Sequence, residues 1–330
     1  MTNHRMFAGH VLSCSIPLPA LPILWPALEE ASSLCVREST GIVGSKQLGL
    51  TWRHEWREEN GDLSLQVGLI DFETAAASGC YLLRAPEQCD FHLDPTAGTI
   101  AVDACGELAA STLEHLLIDQ ALPRLLAHQG HLMVHASLAH TTNGAALFLG
   151  QSGWGKSTLA GLLHRRGITA LCDDCVLLEA HQGQVWATPA YPGLRLYEDS
   201  IEEVFATPQS LAPVADYSRK QRVIGLPLPT ELLAPQRLVA VYLLSDPRLA
   251  NEVMSIEPLT SAAACMALIE HSFKLDPTAR PQTVEHLRKA GSVTKAIPAF
   301  ALRYPHDFAH QDRLICMVRE HIDRIVKFSA

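Results

Sequence analysis

The segment Gly150-Gln151-Ser152-Gly153-Trp154-Gly155-Lys156-Ser157 matches the pattern G-x-x-x-x-G-K-[ST]. Residues of these types at this spacing handle phosphate. The glycines let the backbone bend so that successive N–H groups face phosphate oxygens. The start of the following helix adds a positive partial charge. A lysine at position 156 neutralises the β- and γ-phosphates, and a serine at 157 ligates Mg²⁺. The match lies between an apolar strand, Ala145–Leu149, and a helix-period stretch, Thr158–Arg165, which is the context such a loop requires. The bare pattern arises by chance in roughly one chain in a hundred of this length, and the correct flanks reduce that further. The segment therefore predicts a nucleoside triphosphate bound along Gly150, Ser152, Gly153, Trp154, Gly155, Lys156, Ser157 and Thr158. Trp154 either stacks on a base or peptide or simply covers the loop.

Asp173 and Asp174 follow one helix later, at the end of a short apolar strand. If that strand neighbours the phosphate-loop strand, the pair lands beside the phosphates. One carboxylate then holds Mg²⁺ and the other takes a proton from an attacking hydroxyl. Like charges this close raise one of the two pKa values, which suits a base. The plainer alternative is one magnesium-binding carboxylate with a surface neighbour, as in any NTPase. His135 lies upstream, in Val134-His135-Ala136-Ser137. By itself such a histidine is more often a satisfied core residue than a catalytic one. Arg195, the pair Lys220 and Arg222, and Arg303 are candidate clamps on a transferring phosphoryl group, each set against the alternative of a solvated surface charge. Two further patterns draw attention. Cys172 and Cys175 bracket the acids as C-x-x-C, but no second such pair supports zinc or redox chemistry. His128, His131, His135 and His140 cluster locally, with His131 and His135 on one face of a strand, yet no acid or cysteine completes a transition-metal site.

The elements that must position these residues divide into two regions. Residues 1–106 read as short strands between turns: Phe7–Ser15, closed by Ile16-Pro17-Leu18-Pro19, then Leu63–Ile70, Cys80–Arg84 and Thr99–Asp103, with turn chemistry at Asp94–Gly98. From residue 107 to 330 the pattern becomes α/β. A helix over Glu107–His128, kinked at Pro123, leads into the apolar strands Leu132–Val134, Ala145–Gly150, Ala170–Cys172, Val176–Leu178 and Leu238–Leu244. A helix begins at Lys156, Ala206–Arg222 reads as a long mobile loop, and the last helix covers Gln311–Phe328.

Composition narrows the function. At 330 residues, 48% hydrophobic and 18% charged, the chain can bury a real core. A net charge of −9 argues against a general nucleic-acid binder. No apolar run is long enough for a membrane span, and Met1–Arg5 does not open a signal peptide. Nine scattered cysteines, such as Cys105 after Ala104 and Cys265 between Ala264 and Met266, read as reduced core thiols, so a cytoplasmic location is expected.

His135, then Gly150–Ser157, then Asp173-Asp174, in that order and spacing, resemble the catalytic domain of the HPr kinase/phosphorylase family and its relatives. The resemblance covers residues 128–225, with a weaker echo at Leu302-Arg303-Tyr304-Pro305. It implies a P-loop kinase domain of the HPr kinase C-terminal type beside a smaller β-rich N-terminal domain. It also implies Mg-ATP as phosphate donor, a serine hydroxyl as acceptor, Asp173 as base, Asp174 on the metal or substrate side, and His135 orienting Asp173. Thr158 stands where the true HPr kinases carry an acid, and Tyr191–Leu196 replaces their glycine-rich signature. The segment Leu12–Leu21 resembles instead the HPr-kinase-like proteins that include lasso-peptide kinases.

The expectation is thus a serine kinase acting on a peptide or small protein, favoured as a tailoring kinase for a ribosomal (lasso) peptide. The alternatives are an HPr kinase/phosphorylase-type regulator, a small-molecule kinase and a non-catalytic ATP sensor. The resemblance further implies a homo-oligomeric assembly.

Overall fold

The computed structural model describes residues 3–23, 33–39, 49–71, 79–205, 207, 209–224, 230–249 and 253–329. The chain divides into two compact units, each discontinuous in sequence: Met1–His131 with Phe273–Glu285, and Leu132–Ser272 with His286–Ala330.

The first unit is built on an eight-stranded sheet. Its strands are β1 (Asn3–Phe7), β2 (His10–Cys14), β3 (Leu34–Glu38), β4 (Gly49–Arg57), β5 (Leu63–Asp71), β6 (Cys80–Ala85), β7 (Cys89–Asp94) and β8 (Thr99–Ala104), in the spatial order β1-β2-β3-β8-β7-β6-β5-β4. Side chains alternate between buried and half-buried along β7, the period-2 signature of a sheet with one covered face. The single strand expected over Phe7–Ser15 is a hairpin. Ala8 and Gly9 both take positive φ, the geometry of a two-residue turn that matches strand twist. The turn at Asp94–Gly98 joins β8 to β7, a strand absent from the sequence reading. The helix expected over Glu107–His128 is α1 (Ala110–Leu116), a five-residue π-turn (Leu117–Ala121) and α2 (Leu122–His128). Pro123 occupies the start of α2, where its missing N–H costs least, so the irregularity precedes the proline. These helices cluster with the first unit, not with the second as the division at 106/107 had it.

The second unit holds a nine-stranded mixed sheet from β9 (Leu132–Val134), β10 (Ala136–Thr141), β11 (Gly144–Leu149), β12 (Thr169–Cys172), β13 (Val176–His181), β14 (Gln184–Pro189), β18 (Gln236–Leu244), β19 (Ser255–Pro258) and β20 (Ala299–Arg303). The path runs β12-β10-β11-β18-β14-β13-β9, with β20 on the C-terminal half of β18 and β19 beyond it. A separate three-stranded sheet has the order β15 (Arg195–Leu196), β17 (Gln221–Ile224), β16 (Ser210–Pro213). Two of its strands occupy the segment expected as a mobile loop, of which Ala206 and Pro208 lie outside the described residues. The helices of this unit are α3 (Lys156–Arg165), α4 (Glu198–Val204), α5 (Ser261–Glu270) and α7 (Gln311–Ser329), with α6 (Arg280–Ala296) belonging to it from His286 onward.

Two cores flank this sheet. On β11, Ala146 and Phe148 pack with Leu159 and Leu163 of α3 and Val318 and Ile322 of α7. Alternate residues Ala145, Leu147 and Leu149 pack on the other face with Leu268 of α5 and Val293 of α6. A central strand buried on both faces reads as the continuous apolar run Ala-Ala-Leu-Phe-Leu. Cys14, Cys89, Cys172 and Cys175 are buried thiols, but Cys105 and Cys316 are exposed. Cys105 falls just past the end of β8, where the alternation that would bury it has ceased. Among the described residues no helix is long and apolar enough to cross a membrane.

Candidate active site

The expected adjacency of the phosphate-loop strand and the acid strand does not hold. Strand β10 lies between β11 and β12 and pairs antiparallel with both. Two antiparallel steps leave β11 and β12 running the same way. Their carboxyl ends, and the start of β10, therefore lie along one sheet edge: Ala136 is opposite Leu149, and Leu138 opposite Cys172. Three segments far apart in character meet there. The phosphate loop leaves β11, Asp173-Asp174 leaves β12, and His135 immediately precedes β10. His135 occupies the joint between β9 and β10, and β9 includes neither His131 nor His135. Its backbone N–H is held by the His271 carbonyl at 2.8 Å. Ser137 Oγ donates to the Asp173 carbonyl at 3.3 Å and fixes the start of the acid turn.

The loop has the conformation the motif predicts. Gly153 and Gly155 take φ of 80° and 83°, a region that residues with a Cβ rarely adopt. At Gly155 a Cβ would also stand 3.1 Å from the Tyr304 hydroxyl. Helix α3 starts directly after Gly155 without a side-chain cap, so its first N–H groups face the loop. Lys156 is buried, its Nζ donating to the carbonyls of Gly150 at 2.7 Å and Gln151 at 3.0 Å. Burial pushes its ammonium down to about 8, partly offset by Asp174. Trp154 packs against the α3/α7 core and stands close to Gly150. Thr158 shares a hydrogen bond of 3.0 Å with Ser200 of α4.

The two acids occupy unlike environments. Asp173 is fully buried; its Oδ2 accepts the Arg195 backbone N–H at 2.6 Å, while its buried Oδ1 has no hydrogen-bond partner among the described residues. Burial first, and the neighbouring Asp174 second, raise its pKa. Asp174 is also penalised by burial. His135 and the charges of Arg195 and Lys220 outweigh that penalty and hold it well below the usual carboxylate range. The Arg195 guanidinium reaches Asp174 Oδ2 at 2.8 Å, and His135 Nε2 lies 3.5 Å from Asp174 Oδ1. Burial and the charge of Lys156 keep the His135 imidazole below its ordinary pKa. A pair of adjacent acids split this way leaves one carboxylate ionised and the other poised to exchange a proton.

Of the basic candidates, Arg195 is buried, ion-paired to Asp174, hydrogen-bonded to the Tyr191 hydroxyl, and stacked over the Tyr191 ring at 4.6 Å. Lys220 lines one recess with His135, Ser152, Lys156, Ser157 and Arg195. Its ammonium lies 5.7 Å from the Tyr197 ring centre. Arg222 stands opposite Arg195 in the β15–β17 ladder and does not line the recess. Arg303 is exposed on β20, opposite Ser255 of β19, and lies 3.7 Å from Glu257 two residues along that strand, so the strand pair accounts for it. Sequence reasoning gave no role to Tyr191 or Tyr304. Both lie inside segments the sequence singles out, Tyr191–Leu196 and Leu302-Arg303-Tyr304-Pro305, where only Arg195 and Arg303 were given roles. Among the described residues no three His, Cys, Asp or Glu side chains form a metal cluster. A magnesium ion carried in by phosphates needs only one or two carboxylates; Asp174, held ionised, offers one, and Ser157 lines the recess.

No protein-family model matches this chain, and no curated protein does. Among solved structures it is similar to the HPr(Ser) kinase/phosphatase from Coxiella burnetii, at 14% identity and a TM-score of 0.30, over 58% of this chain and 97% of that one. A likeness at that level establishes no activity.

Proposed function

We propose that this chain is an Mg-ATP-dependent kinase acting on an aliphatic hydroxyl, a serine of a peptide or small protein. The convergence of the phosphate loop, Asp173-Asp174, His135 and Arg195 at one sheet edge carries the reading. ATP would lie along Gly150–Ser157, and Asp174 with Ser157 would hold Mg²⁺, whose chemistry is to neutralise charge between the phosphates. Asp173 takes the proton from the acceptor hydroxyl. The acceptor oxygen forms its bond to the γ-phosphorus as the bond to the β–γ bridging oxygen breaks, and ADP leaves. Because Asp173 is fully buried, binding of the acceptor must uncover it. Lys156 leaves the loop carbonyls for the phosphates, and Lys220 stands across the recess as a second cation. Asp174, kept ionised, and a neutral His135 hold the geometry between them. The likeness of Leu12–Leu21 to the lasso-peptide kinases favours a ribosomal peptide as acceptor.

The test is intact-mass analysis of acceptors incubated with Mg-ATP and the protein, with Lys156→Ala as control. A phosphate-sized gain is expected on a serine-terminated peptide encoded beside the gene. A gain on HPr alone would replace the peptide reading with a regulatory one. No gain on either, with ATP still bound, would leave a small-molecule kinase or an ATP sensor.

Lys156 adds a pH signature. Phosphates bind its charged form, and its pKa is about 8 before they arrive. The complex therefore holds that proton more tightly than the free protein, and affinity is lost as pH rises through the free-state pKa. Calorimetric titration of Mg-ATP is expected to give a level affinity up to about pH 7.5, then weakening by up to about tenfold per pH unit above about 8. A level affinity to pH 9.5 would remove Lys156 from the phosphate contacts.

A further inference from the structure

A second cavity, of about 250 Å³, adjoins the catalytic recess and shares Gly153, Gly155, Thr158 and Tyr197 with it. That is roughly eight times the ~30 Å³ a water molecule occupies in the liquid, room for an organic ring system rather than an ion. Its floor is apolar, from Leu159, Leu162 and Leu314. Its wall carries the rings of Tyr304 and His306, stacked on each other with centroids 4.5 Å apart and planes within 19°. Of the two stacked rings Tyr304 is buried and His306 is exposed, so His306 is the one a ligand can reach. Partial burial lowers the His306 pKa and favours its neutral ring.

Acceptors without a full set of donors stand among the polar atoms of the cavity, beside the hydroxyls of Thr158, Ser200, Tyr197 and Tyr304, which can act either way. Gln311, which lines it, has its buried amide oxygen without a hydrogen-bond partner among the described residues. Asp199 and Asp307 line it too, and each spends one carboxylate oxygen on a nearby backbone N–H, that of Ser200 at 2.7 Å and of Ala309 at 2.9 Å. The cavity thus pairs an aromatic face with an unpartnered amide oxygen and two carboxylates, and it suits a flat ring that carries N–H donors. Its distance from the phosphates is fixed. The Tyr304 hydroxyl lies 3.5 Å from the Trp154 carbonyl and would lie 3.1 Å from a Cβ at Gly155, so wall and loop are held in contact.

From this we infer that the cavity is the nucleoside subsite of the phosphate donor: a purine bearing an exocyclic amine stacks on His306 and donates to Gln311 and the neighbouring carboxylates. The inference rests on the proposed nucleotide site and adds where its base is read and what class of base fits. By exclusion it leaves the acceptor to the part of the recess lined by Lys220, which the cavity does not share.

Calorimetric titration of the full chain with Mg-ATP, Mg-UTP and Mg-tripolyphosphate tests it, using wild type, His306→Ala and His306→Phe. Stacking of a base on an aromatic ring is expected to make wild type bind Mg-ATP at least about tenfold more tightly than Mg-UTP or tripolyphosphate. His306→Ala should lose that advantage and keep its affinity for tripolyphosphate, and His306→Phe should restore it. Equal affinity of wild type for ATP and tripolyphosphate would overturn the subsite and leave the phosphate loop intact. An ATP preference that survives His306→Ala, or a UTP affinity equal to that for ATP, would also overturn it. Binding of none of the three would overturn the nucleotide site itself, and the subsite with it.

Discussion

Asp173→Asn is expected to lower phosphoryl transfer by roughly 10²–10⁴-fold while leaving Mg-ATP affinity within a few-fold of wild type. The substitution is nearly isosteric, and an asparagine oxygen can still accept the Arg195 backbone N–H that now binds Asp173 Oδ2 at 2.6 Å. What it removes is the proton acceptor. Burial and Asp174 have raised that carboxyl's pKa, and its Oδ1 has no partner among the described residues. Stability gives an independent check. A carboxyl whose pKa is raised on folding contributes stability at low pH, below its unfolded value, and loses it as pH rises through the folded value. The asparagine variant has no such loss, so its melting temperature relative to wild type should climb from pH 6 to pH 9. Single-turnover transfer measured beside calorimetric ATP binding decides the catalytic role. Transfer within threefold of wild type would assign the proton elsewhere and favour an ATP sensor over a kinase.

Arg195→Ala should produce the largest loss of stability, about 3–5 kcal/mol, because removing one partner of a buried ion pair strands the other. The Arg195 side chain is 5% exposed and Asp174 only 16%. Without the guanidinium, two adjacent carboxyls share a covered turn with His135, Lys220 and Lys156 left to hold the charge. The Tyr191 ring loses its stacking partner as well. Differential scanning calorimetry should show the transition of this unit falling by on the order of 10 °C. Arg195→Lys should recover only part of the fall, since an ammonium restores the charge but not the planar stack. A fall of less than 2 °C for the alanine variant would mean that solvent already screens Asp174.

The phosphate loop was legible in sequence because its chemistry is local. Backbone conformation at Gly153 and Gly155, the helix start at Lys156 and the apolar run of β11 all follow from neighbours in the chain. Asp173, Asp174 and His135 were legible as candidates, but their meeting was not. It depends on β10 entering between β11 and β12, a pairing set by contacts that no local pattern encodes. Short strands such as β16 and β17, with Pro, Ser and charge among them, looked like loop because a paired strand and a polar loop share that composition. The α1–α2 region was visible as helix, whereas its clustering with the first unit was invisible. That clustering includes partners some 150 residues later, such as Phe273, whose ring lies 5.6 Å from the Arg124 guanidinium.

Those later partners mean that the chain leaves the first unit at His131, returns for Phe273–Glu285, and departs again. Asp276, on the returning stretch, takes the Tyr81 hydroxyl at 3.4 Å. A gene cut after residue 131 would yield a fragment without that stretch, and a shuffled N-terminal module would arrive incomplete. Neither unit can be expressed, exchanged or inherited as one uninterrupted block, so whatever each does has been selected in the company of the other.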